Sequence, residues 1–178
     1  MKNAVLITLV LFLGGAITAQ TGSAVTLNIN LHPIQTLKVN TTEVDLVYDT
    51  AAKYESGVDV LQPDHLTVSG TAGMVITVKS DGHLMHSGAV GLPDVIAANT
   101  IQVAASAGTT NAFSNATYAM PFLSSEEAII LSNSKGGGVR NISITYKGAG
   151  ANTYNNMALA SKVQTVFKTQ VTYTVTAQ

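Results

Sequence analysis

Between residues 24 and 31 the chain reads Ala-Val-Thr-Leu-Asn-Ile-Asn-Leu, so that Val25, Leu27, Ile29 and Leu31 are separated by Thr26, Asn28 and Asn30. A period of two gathers the aliphatic residues on one face of a strand, whereas on a helix the same spacing scatters them around the axis. The pattern returns near the other end, where Phe167, Val171, Tyr173 and Val175 alternate with Lys168, Gln170, Thr172, Thr174 and Thr176. Both terminal segments are therefore expected to be long strands with one buried face. Pro33, which has no N–H to give a ladder, marks a bend or an edge, and Leu37 and Val39 resume the same phase beyond it.

Shorter strands are expected between these ends, over 43–48, 57–61, 65–69, 73–79, 99–104, 116–122, 126–132 and 139–146. Val44, Leu46 and Tyr48 form one alternating row, Met74, Ile76 and Val78 a second, and Ile142, Ile144 and Tyr146 a third. Turn residues separate them at Ser80-Asp-Gly82, 107–111, Gly136-Gly-Gly138 and Gly148-Ala-Gly150, and residues 148–165 are the most loop-like stretch. Thr, Val and Ile make up about 29% of residues 20–178, and side chains stiff at χ1 favour a pleated, half-buried surface. The expected fold is all-β, an immunoglobulin-like β-sandwich in one domain over 20–178, with 20–33 as a donor or edge strand. Ser124-Ser-Glu-Glu127 ahead of Ala-Ile-Ile-Leu131 has capping-box spacing, so a helical turn competes there with the strand, which β-branched Ile129 and Ile130 favour.

The first residues carry a different signal. Lys2 precedes an apolar run from Ala4 to Leu13, followed by Gly14, Gly15 and Ala16-Ile-Thr-Ala19 before Gln20. This is the order of a secretory signal peptide over 1–19, and the apolar run falls short of the roughly 20 residues that span a bilayer. An exported protein of the cell surface, the extracellular space or the periplasm is expected, with no membrane-spanning segment once the leader is removed.

Charge excludes more than it suggests. Only 11% of residues are charged, nine Lys and Arg against ten Asp and Glu, and no basic stripe is present to neutralise phosphates, so nucleic acid is not an expected partner. No Cys is present, which removes disulfides, thiolate nucleophiles and Cys-ligated metals. Such a surface, made largely of Thr, Asn, Ser and Gly, suits a chain packed among copies of itself or other surface subunits.

No reaction centre assembles from the remaining motifs, and neither an enzyme nor a cofactor is expected. Asp81, His83 and His86 are the best metal candidates, but on a strand His83 and His86 point to opposite faces, so a polar hairpin loop is the preferred reading. His65, after Pro63 and Asp64, reads as a surface turn. Glu126 and Glu127 splay apart on a strand and cannot share a proton. There is no Gly-x-Ser-x-Gly elbow, and Gly136-Gly-Gly138 lacks the Lys-Ser/Thr of a P-loop. Sequons at Asn40, Asn115 and Asn141 are what an Asn- and Thr-rich chain produces by chance, and no glycan is assigned to them.

Three stretches, Leu27-Asn-Ile-Asn-Leu-His-Pro-Ile34, Val44-Asp-Leu-Val-Tyr48 with Thr50-Ala-Ala-Lys-Tyr-Glu-Ser56, and Leu123-Ser-Ser-Glu-Glu-Ala-Ile-Ile-Leu-Ser132, resemble in order the major subunits of colonization-factor-type (class 5) fimbriae. Met74-Val-Ile-Thr-Val78 through to the Tyr173 strand also looks partly like the WxL-type cell-wall-binding β-domains, although the chain has no Trp to form their Trp-x-Leu signature. The fimbrial resemblance implies a structural or adhesive subunit whose sandwich lacks one strand, completed by the N-terminal extension of the next subunit. Val25, Leu27, Ile29 and Leu31 are the matching candidates for that donor. Use of the same row as the first strand of a self-contained sandwich is the favoured alternative, and a secreted peptidoglycan- or glycan-binding module is the alternative function.

Overall fold

The computed structural model describes residues 22–86, 95–158 and 164–178. The expected leader, residues 1–19, lies outside them. The chain divides between Leu31 and His32 into two units. In the first, residues 22–31 form neither helix nor strand, and Val25, Leu27, Ile29 and Leu31 are 91%, 85%, 77% and 86% exposed. The in-chain first strand expected here is thus corrected: alternation records which face a strand would bury but does not itself form a ladder, and no ladder includes these residues.

The second unit is all-β with one short helix. Its elements are β1 (Gln35–Val39), α1 (Ala51–Ser56), β2 (Val58–Gly70), β3 (Met74–Ser80), β4 (Leu84–Met85), β5 (Val95–Ile96), β6 (Ile101–Ala107), β7 (Thr117–Tyr118), β8 (Ala128–Asn133), β9 (Gly137–Gly148) and β10 (Val171–Ala177). Antiparallel pairing orders them as β1-β2-β9-β6 in one sheet and β10-β3-β8-β7 in another, with β4-β5 as a separate ribbon. Both four-stranded sheets supply one core, with Leu66, Val68, Ile142 and Ile144 from the first and Met74, Ile76, Val78 and Leu131 from the second. These are the inward positions that the period-two rows of β3 and β9 mark in the sequence.

On one side the chain passes from sheet to sheet without a gap. After β7 pairs with β8, Ala119 N donates to Ile130 O at 2.9 Å, and the next residues turn to β6, with Ala105 N on Ala119 O at 3.1 Å, Val103 N on Pro121 O at 2.9 Å and Leu123 N on Ile101 O at 2.8 Å. The strand expected over 116–122 is therefore shared between two sheets.

The two strands expected over 57–61 and 65–69 are one, broken by a register shift between Gln62 and Leu66. Pro63 has no N–H for the ladder, and Asp64 takes φ 49°, a left-handed conformation that Asp tolerates. The Asp64 carboxylate fixes the bulge by accepting from Thr109 N at 2.6 Å, Thr109 Oγ1 at 2.7 Å and Thr110 Oγ1 at 2.8 Å. A bulge places consecutive residues on one side of a strand, so His65 and Leu66 both point inward. His65 is 1% exposed, which corrects its reading as a surface turn.

Two further expectations change. Residues 43–48 join no ladder, yet Val44 and Leu46 pack on the core as their alternation requires. Residues 124–127 form no helical turn: Ser124 Oγ donates to Glu126 O at 3.0 Å, while Glu127 is drawn across to Thr77 Oγ1 at 3.1 Å and Lys79 Nζ at 3.6 Å on β3. The helix that does form, α1, starts at the Thr50 cap and ends at Gly57, φ 87°. Its last turn is held by the 151–156 turn, where Ala151 N donates to Glu55 O at 2.6 Å and Asn152 N to Tyr54 O at 2.8 Å.

Candidate assembly seam between the edge strands

On the side away from β6 and β7 the sheets end in β1 and β10, which approach one another. Their ladders show which backbone groups are left over. Thr71 N donates to Ile34 O at 3.0 Å and Asn40 N to His65 O at 2.8 Å, so the even-numbered residues of β1 make its bonds to β2. Hydrogen-bonded and non-hydrogen-bonded positions alternate along an antiparallel pair. Gln35, Leu37 and Val39 therefore turn their N–H and C=O away from β2. On β10, Asp81 N donates to Gln170 O at 3.0 Å and Gln178 N to Gly73 O at 2.9 Å, which assigns the even positions to β3 and turns Val171, Tyr173, Val175 and Ala177 outward. Among the described residues no strand pairs with either outward edge.

Side chains repeat this asymmetry. Leu37 and Val39 face the fully buried Val68 and Leu66 across the ladder, and Tyr173 and Val175 face the fully buried Val78 and Ile76. The edge members of these pairs pack on the same core but are only half-buried. Gln35 adds a polar counterpart, because its side-chain Nε2 is buried without a hydrogen-bond partner. Such an orphan donor costs about 1–3 kcal/mol until something accepts from it.

A buried polar chain runs from β2 to the open edge. His65 Nε2 and Tyr146 Oη lie 3.1 Å apart, and Tyr146 Oη lies 2.6 Å from Tyr173 Oη. The His65 ring meets the Tyr146 and Tyr173 rings edge-on, with centroids 5.7 and 5.9 Å away. Burial pushes the His65 pKa down and those of Tyr146 and Tyr173 up, so the chain is held neutral. His65 Nδ1, like Gln35 Nε2, has no partner.

Two of the three metal candidates make contacts of their own. Ala98 N donates to His83 Nδ1 at 3.2 Å, and the His86 ring stands edge-on to Phe167 at 4.9 Å. Among the described residues no three His, Cys, Asp or Glu side chains are gathered as an ion requires. Nor is any helix among them long and apolar enough to cross a membrane. None of the candidate residues in the sequence lies in the seam; Val25, Leu27, Ile29 and Leu31 belong to the first unit and stand exposed there. Gln35, Leu37, Val39, Val171, Tyr173 and Val175 form the seam itself; their alternation marks them as half-buried strand but carries no sign of which strands lie at an edge.

No protein-family model matches the chain, and comparison with curated proteins yields no match.

Proposed function

We propose that this chain is an exported, non-enzymatic structural or adhesive subunit of the cell surface, an immunoglobulin-like sandwich short of one strand. Copies join when residues 25–31 of one enter the seam between β1 and β10 of the next. The observation that carries this reading is the coincidence of two incomplete surfaces in one chain. Four aliphatic side chains stand 77–91% exposed in a row, and two sheet edges direct backbone donors and acceptors outward above a half-buried apolar floor. Adding a strand satisfies both at once.

The dimensions agree. The row spans seven residues, 25–31, with four apolar side chains on one face. The β10 strand also has seven residues, Val171–Ala177, with four outward-facing backbone positions. Burying four aliphatic side chains is worth roughly 6–12 kcal/mol before ordering costs, enough for a long-lived joint. Because donor and acceptor are different surfaces, the contact is heterologous and continues into a chain of subunits. The leader pattern over 1–19 and the resemblance to class 5 fimbrial subunits support the same reading.

The absence of Cys gives a clean test. Side chains on neighbouring strands in one face lie close enough for disulfide geometry. Chains carrying Leu27→Cys, oxidised together with chains carrying Val171→Cys, Tyr173→Cys or Val175→Cys, form a mixed disulfide with at least one of the three. Failure with all three contradicts the proposal.

A further inference from the structure

A second surface, built from different residues, carries an inference of its own. Seven Lys and Arg fall among the described residues. Lys53, Lys79, Lys147 and Lys168 each pair with an acidic side chain, at Asp49, Glu127, Asp59 and Glu43. Of the three described cations outside these pairs, Lys38, Lys135 and Arg140, two line one small cleft beside the β8–β9 connection. In a protein of net charge −1 in which four of the seven described cations are paired, two cations without an acidic partner in the lining of one depression make it a positive site.

The rest of the lining is uncharged, with Ser114, Asn115 and Asn133 as its polar side chains, and it contains no Asp or Glu. Phe113, largely buried, contributes an aromatic side chain. Ser114 and Asn115 are exposed, and neither side chain has a hydrogen bond to the described residues, so a hydroxyl and an amide are free to meet a ligand. The cleft is also held in shape. Asn133 Nδ2 donates to Lys135 O at 2.6 Å, which fixes the loop carrying Lys135. Arg140 folds back beside Gly137, where a Cβ would lie 3.6 Å from its Nη2, and its one side-chain hydrogen bond among the described residues, Nη1 to Val139 O at 3.5 Å, leaves most of its donors uncommitted.

We propose that this cleft binds a carboxylate-bearing saccharide. The Arg140 guanidinium and the Lys135 ammonium take the carboxylate, because a planar fork and a point charge together match its two oxygens. Ser114 and Asn115 take ring hydroxyls, and Phe113, packed into the core beneath them, forms the floor of the cleft. An acidic peptide matches the lining less well, since apart from Phe113 nothing in it offers an apolar side-chain pocket. The site gives the subunit an adhesive capacity that does not depend on the seam.

Titration of the protein with glucuronate at low ionic strength, followed by amide chemical shifts, tests this, with glucose and acetate as the neutral and sugar-free probes. Glucuronate is expected to bind at least tenfold more tightly than either, and to weaken as salt is added. Arg140→Gln and Lys135→Gln each weaken it about tenfold, whereas Lys38→Gln, which removes an unpaired cation elsewhere, leaves it unchanged. Leu27→Asp, which puts a charge in the row proposed to enter the seam, also leaves it unchanged, so the two proposals fail separately. Absence of shifts at these residues, equal binding of glucose or acetate, or an equal effect of Lys38→Gln overturns the assignment.

Discussion

The hydroxyls of Tyr146 and Tyr173, 2.6 Å apart, join β9 of one sheet to the last strand of the other. Tyr146 also meets His65, so it serves two partners and Tyr173 one. Tyr173→Phe removes a single bond at the open edge and is expected to cost about 1 kcal/mol, whereas Tyr146→Phe strands both neighbours and costs about 1–3 kcal/mol. Urea unfolding of the two variants checks the order.

His65 predicts how stability responds to mild acid. Burial lowers its pKa in the folded protein, so below the unfolded value of about 6.5 the unfolded chain binds more protons. Stability is therefore full above that pH and declines as pH falls from it toward the folded value. His65→Gln flattens this part of the profile. Asp64 acts in a separate window: hydrogen bonds from the Thr109 side chain, and further ones from Thr110, lower its pKa, so its contribution persists at neutral pH and is lost only as pH falls below about 3.9. Denaturation midpoints measured from pH 8 to pH 3, with Asp64→Asn as the second variant, separate the two.

Gly57 closes α1 at φ 87° and ψ 177°, where a Cβ would sit 2.6 Å from Gly148 O. No side chain fits without moving backbone. Gly57→Ala is expected to cost about 1–3 kcal/mol from the backbone conformation, with the clash added. Thermal unfolding gives the number.

Core and row behave oppositely when truncated. Ile144 is fully buried, and Ile144→Ala is expected to cost about 2–5 kcal/mol. Leu27 is as large but exposed, and Leu27→Ala leaves the unfolding free energy of the isolated subunit within about 0.5 kcal/mol. Denaturant titration at low protein concentration makes the comparison.

What the sequence reveals follows from what is local. Met74, Ile76 and Val78 lie in a central strand between two neighbours, so their period of two translates directly into burial. The same signal in Val25, Leu27, Ile29 and Leu31 leads to exposure, because alternation records which face a strand would bury and says nothing about whether a partner is present. His65 is misread for a different reason: Pro63 and Asp64 look like a turn, yet they form a bulge inside a continuous strand and carry His65 into the core. The α1 helix is too short for a helical period to register, with only the Thr50 cap and Gly57 to mark it. The seam is the least legible feature, since edge position is a property of the whole topology. Lys135 and Arg140 gain significance only once the pairing of the other cations is seen in space.

Assembly through the exposed row is tested most directly by sedimentation velocity of the chain beginning at Gln20, compared with its Leu27→Asp variant over a range of concentrations. The account predicts a series of oligomers for the first and a monomer for the second, with identical unfolding midpoints for the dissociated subunits. A wild-type chain that stays monomeric throughout, or a variant that assembles as the wild type does, contradicts it.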